Sequence, residues 1–143
     1  MSPQSQPQPQ PTQPVHLARA ADLQTSGGQT DGMLRQNAIT DLCDGICASR
    51  MIAKPHSSSA VHHHGAQDTI VLALSGHGTV VSEGGNKRVD LKPGDFCLIP
   101  AWAEHQEVND GNEDVVWGIV RSGRAPEVVN LTGWGGDVAG GGK

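Results

Sequence analysis

Three imidazoles stand side by side in the stretch AVHHHGAQDT, at His62, His63 and His64. Histidine is the commonest metal-binding side chain, and its unperturbed titration falls near neutrality. In an extended segment side chains alternate between faces, so His62 and His64 project together and His63 projects away. Two imidazoles on one face can grip the same cation. Such pairs are common on surfaces, and a third histidine in a constrained setting gives this one weight. In GDFCLIPAWAEHQEVN, a turn and an apolar strand lead through Pro100 to His105, and Asn109 follows. Three neutral imidazoles at His62, His64 and His105 would hold a divalent transition metal (Zn, Fe, Ni or Cu) and leave positions open for water or substrate. Asp68 is the carboxylate nearest the histidine run and the candidate for a fourth ligand or a catalytic acid–base group. The amide oxygen of Gln67 is the alternative.

These side chains need a scaffold, and the middle of the chain reads as strands. Ile46 to Lys54, Asp68 to Gly76, Gly78 to Glu83, Lys87 to Leu91, Asp95 to Pro100 and Asp114 to Ser122 are rich in branched and small apolar residues. Turn signals separate them. EGGN (83–86) carries two glycines that tolerate positive φ, and KPGD (92–95) places Pro and Gly at the centre of a type II turn. Short strands at this spacing indicate an all-β sandwich or barrel. Several are apolar on nearly every residue, which calls for cover on both faces by a second sheet or a partner subunit. Val15 to Leu23 hints at one helical turn.

Composition narrows the function classes. The 143 residues fit one domain, expected over 15–134, between a Pro/Gln-rich disordered tail (1–14) and a flexible Gly-rich tail (135–143). A net charge of −5 with no Lys/Arg run argues against nucleic acid. No apolar run reaches membrane-spanning length. Three cysteines, Cys43, Cys47 and Cys97, cannot all pair within one chain. Free thiols suit a reducing compartment, so a cytoplasmic location is expected. Cys43 and Cys47 lack further ligands for a structural zinc, and Cys97 reads as a small core residue.

The two histidine stretches, in this order with a hairpin between them, resemble the two motifs of the cupin family. The first motif is a His-x-His pair followed by Glu and Gly, and His62, His64 and Gly76 fall at its spacing. The second runs from Gly through Pro-x-Gly to His and Asn, matched by Gly94, Pro100, His105 and Asn109. The resemblance implies a jelly-roll barrel (double-stranded β-helix), a metal inside it, a homodimer and a small-molecule substrate. Two positions depart from the pattern. Thr69 stands where the spacing from Gly76 expects Glu, and Trp102 replaces the Gly of Pro-x-Gly. Trp102 would either wall the barrel mouth or pack on the surface. The chemistry implied is a metal acting as Lewis acid on a carbonyl or enol (isomerase, lyase or decarboxylase) or as an oxygen-activating centre (dioxygenase). The absent Glu favours the Lewis-acid route. The alternative is a non-catalytic ligand-binding cupin module. The residues before Ile46 are not basic and show no helix pair, which counts against a DNA-binding regulator.

Overall fold

A computed structural model describes residues 7–11, 13–26 and 31–140. Eleven strands follow in order: β1 (Met33–Ile39), β2 (Ile46–Ala53), β3 (Ser57–Ser58), β4 (His62–His63), β5 (Thr69–Ser75), β6 (Gly78–Ser82), β7 (Lys87–Leu91), β8 (Phe96–Ile99), β9 (His105–Asn109), β10 (Val115–Ser122) and β11 (Val129–Asn130). They form two antiparallel sheets. One runs β1-β2-β10-β5-β8, and the other runs β11-β4-β9-β6-β7 with β3 added on β9. This is the expected all-β jelly-roll barrel. Among the described residues no helix is long and apolar enough to cross a membrane. The helical hint near Val15 reduces to one 3₁₀ turn, Ala20–Asp22. Residues 1–6 and 141–143, the outer parts of the expected tails, lie outside the described residues. Within the Gly-rich stretch, Val138 bridges back to Leu131.

Cross-strand register sorts the interior of the first sheet into rows. Ala53 lies opposite Val115, Met51 opposite Trp117, Ser49 opposite Ile119 and Cys47 opposite Arg121. On the other side of β10, Trp117 faces Ala73, Ile119 faces Val71 and Arg121 faces Thr69. The rows around Trp117 are apolar and form the core with Met33, Val80, Leu91 and Ile99. The last row, Cys47–Arg121–Thr69, is polar on two of three positions. The barrel is therefore oily at one end and chemically equipped at the other. The apolar end sets tight spacing: Gly78 has no side chain because a Cβ there would collide with the Trp117 ring.

The segment before β2 forms β1, which the sequence did not suggest. Its inward positions include Met33 but also a buried arginine, Arg35, so the apolar alternation that marks a half-buried strand is broken.

Candidate metal centre

β4 and β9 lie side by side, with His62 directly opposite His105. Alternation sends His62 and His64 into the barrel, where they are 3% and 2% exposed. His63 stays on the outer face, its ring tilted 53° against that of Trp102 with centroids 5.4 Å apart. Trp102 is thus a surface-packing residue, and its φ of 66° is the left-handed conformation that a glycine would adopt without strain.

Each inward imidazole is fixed through one ring nitrogen. His62 Nδ1 donates to the Ala60 carbonyl at 2.8 Å, and His105 Nδ1 donates to the Ala103 carbonyl at 2.9 Å. His64 Nδ1 meets the Thr69 hydroxyl at 2.7 Å. Assigned this way, all three rings present Nε2 with a free lone pair, and all three Nε2 atoms are buried without a hydrogen-bond partner among the described residues. Buried nitrogens so oriented are costly unless something accepts their electron pairs. A hydrogen bond from the far ring nitrogen is also what orients a metal-ligating histidine.

The fourth member of the cluster is Glu107. Its carboxylate joins His62, His64 and His105 with ligand atoms all within 4.8 Å of one another. Glu107 Oε2 lies 3.2 Å from His62 Nε2, and Oε1 lies 3.6 Å from His105 Nε2. The Ser59 hydroxyl donates to Oε2 at 3.0 Å. Burial works to raise the Glu107 pKa, but the His62 and His105 rings outweigh it and hold the carboxyl well below its ordinary range. Burial likewise works to lower His62, and the Glu107 charge reverses the sign, so its pKa is raised. His64 is driven down to about 2 by burial, with the Arg121 and His105 charges adding. The residue types fit a borderline divalent ion, with three imidazole nitrogens and one carboxylate oxygen.

Sequence reasoning missed Glu107, although the signal was present. The alternation that pairs His62 with His64 also pairs His105 with Glu107 and Asn109, two and four positions along one strand face. Asp68, the carboxylate expected near the site, is exposed instead and accepts a hydrogen bond from the Ala101 amide at 2.9 Å. It braces the turn after His64 against the β8–β9 connection. Gln67 also turns away, its amide bonded to the Ala125 carbonyl and the Glu127 amide. Thr69 gives the missing Glu position a different task, because its hydroxyl orients His64. Asn109 is a structural knot whose Nδ2 lies within hydrogen-bond distance of the Ala53, Lys54 and Glu113 carbonyls.

A cavity of about 580 Å³ opens between the β6–β7 hairpin and β8. Its wall includes Val89, Leu98, Ile99 and Pro100, with Glu83, Lys87 and Glu104 as charged members, and it reaches His105. Cys97, expected in the core, is half-buried, packs against the core cluster and also lines this cavity.

The chain matches the cupin domain family over residues 49–121. Gentisate 1,2 dioxygenase 1 of Aquipseudomonas alcaligenes is 27% identical over 79 residues, 55% of this chain but 22% of that protein. The chain thus spans about a fifth of the length of that relative. Among solved structures, the polyketide cyclase RemF from Streptomyces resistomycificus superimposes with a TM-score of 0.69 at 16% identity, covering 82% of this chain and 85% of that one. KdgF from Halomonas sp. gives 0.67 at 19%, covering 78% and 96%.

Proposed function

Because this chain belongs to the cupin domain family, we propose that it is a metal-dependent enzyme acting on a small oxygenated metabolite, its divalent ion held by His62, His64, His105 and Glu107. The observation that carries this reading is the convergence of three buried Nε2 atoms beside the Glu107 carboxylate, none of them hydrogen-bonded and each on a ring fixed through its Nδ1. A bound ion would supply a Lewis acid or an oxygen-activating centre with positions left for substrate. The chain's own residues do the rest. Ala60, Ala103 and Thr69 hold the imidazoles in one tautomer, and Ser59 orients the Glu107 carboxylate. The apolar wall of the cavity excludes water from one side of a ligand, while Lys87 and Glu104 are placed to hold or move a proton near its opening.

The carboxylate bears on the reaction class. Without it, Lewis-acid isomerase, lyase or decarboxylase chemistry is favoured. With Glu107 in the ligand set, dioxygenase chemistry regains its footing, since histidines with one carboxylate suit ferrous iron. The similarity to a gentisate dioxygenase supports that branch. A homodimer is part of the proposal, because the outer face of the first sheet carries contiguous exposed apolar side chains.

Elemental analysis of the purified protein tests the site. About one transition-metal ion per chain is expected. His105→Ala should lose it while keeping its β-sheet circular dichroism, and full occupancy in that variant overturns the assignment. Oxygen consumption with candidate substrates then separates the two reaction classes.

A further inference from the structure

Two cations inside the barrel have no place in the metal set. Arg35 on β1 is 6% exposed, and Arg121 near the end of β10 is 2% exposed. A guanidinium keeps its charge and offers five donors, so burying it without an anion is costly. Neither Nε has a hydrogen-bond partner among the described residues. Arg121 Nη1 reaches only a backbone carbonyl, that of Glu127, at 3.3 Å.

Both arginines lie beside the histidine cluster. Arg121 is the cross-strand neighbour of Thr69, whose hydroxyl holds His64. Arg35 lines a small cavity of about 20 Å³ together with Ser59 and His62. The two also sense each other. Burial and then the Arg35 charge bring Arg121 down to about 10, with Glu107 pulling the other way. Two guanidiniums against one carboxylate leave an excess positive charge in the interior, and a divalent ion would enlarge it. Ile99, in the wall of the larger cavity, lies across from Thr69, and Thr69 lies across from Arg121, so one row of the sheet joins that wall to the guanidinium.

We infer that Arg121, backed by Arg35, is the anchor for a carboxylate of the ligand, so that the site takes small dicarboxylate-type anions in preference to neutral sugars or alcohols. The inference rests on the proposed ligand site inside the barrel. If the arginines served only to neutralise Glu107, a neutral ligand of the same shape would bind as well as an anion.

Malonate and its neutral diamide, malonamide, are suitable probes, titrated calorimetrically into metal-loaded and metal-free protein. Malonate should bind at least about tenfold more tightly than malonamide, and Arg121→Gln should reduce that preference about tenfold. Arg121→Lys should keep part of it. Equal binding of the two probes by the unaltered protein, or an unchanged preference in Arg121→Gln, overturns the inference. Arg35→Gln gives a second arm should Arg121→Gln fail to fold, and it should reduce the preference less. Metal content is measured in the same samples. Preference for malonate without stoichiometric metal uptake removes the metal reading and spares this one, and stoichiometric metal without the preference does the reverse.

Discussion

Glu107 and Asp68 each follow a site histidine closely in sequence, yet only Glu107 is turned into the barrel. Glu107→Gln should weaken metal binding by at least the about 10- to 100-fold that loss of a ligand's hydrogen-bond partner typically costs. Asp68→Ala should leave metal binding unchanged and cost about 1 kcal/mol of stability through loss of the Ala101 hydrogen bond. Competition with a chromophoric chelator measures the first effect and urea denaturation the second. His63→Ala should retain metal, and a loss as large as that of His64→Ala would contradict the observed register. The pH dependence follows from the shifted groups. In the metal-free fold His64 stays neutral down to about pH 2, whereas the unfolded chain protonates it near 6.5. Folding therefore excludes that proton, and its contribution is complete above 6.5 and declines below it by up to about 1.4 kcal/mol per pH unit. Glu107, with its lowered pKa, adds a second loss below about 4.5. His62 runs oppositely, because its raised pKa contributes stability below 6.5 that fades as pH rises through the folded value. Thermal melts of the metal-free protein should peak near neutrality and fall steeply from about pH 6 to 4. A flat profile over that range would overturn these charge states.

The strand is the unit that the sequence shows best. β2, β5, β6, β7, β8 and β10 fall within the apolar runs bounded by Gly, Pro and Asn signals, because burial and turn geometry both leave local traces. β1 and β9 do not stand out, since their inward faces carry arginine, histidine, glutamate and asparagine, the residues of the site itself. His62, His64 and His105 were legible from type and spacing. Glu107 required applying alternation to a strand whose polar face disguised it, and Arg35 and Arg121 became visible only when the fold showed them buried. β9 also carries its own anchor. Asn109→Ala would leave backbone carbonyls of Ala53, Lys54 and Glu113 without this partner at the strand end. A loss of about 2–3 kcal/mol in urea denaturation is expected, and a loss below about 0.5 kcal/mol would show that water replaces those bonds.

At the scale of the molecule, the two faces of the first sheet differ little in apolar character. Its outer face exposes Phe96 at 72%, Leu98 at 65% and Leu74 at 49%, with Ile70 beside Leu98 and Val120 beside Ile70 in the register. Such a contiguous patch suits an isologous interface. Analytical ultracentrifugation at tens of micromolar should give a dimer, and Leu98→Lys should shift it to monomer. A monomeric parent protein would remove the proposed interface. Leu98 also lines the large cavity, so dimerisation through this patch would change the surroundings of the site's entrance.

The carboxylate on β9 and the hydroxyl at Thr69 suggest how such a centre can be rebuilt during descent. Thr69 sits across from Arg121, so a glutamate introduced there would enter next to a buried cation rather than into bare hydrocarbon. A lineage can therefore gain the second carboxylate before losing the first, and every intermediate keeps one. The protein can be walked along that route in the laboratory. Thr69→Glu alone should still bind metal, and Thr69→Glu with Glu107→Gln should recover at least about tenfold of the affinity that Glu107→Gln gives up. If the double variant binds no better than Glu107→Gln, the two positions are not interchangeable, and moving the carboxylate from one strand to the other requires changes elsewhere in the barrel.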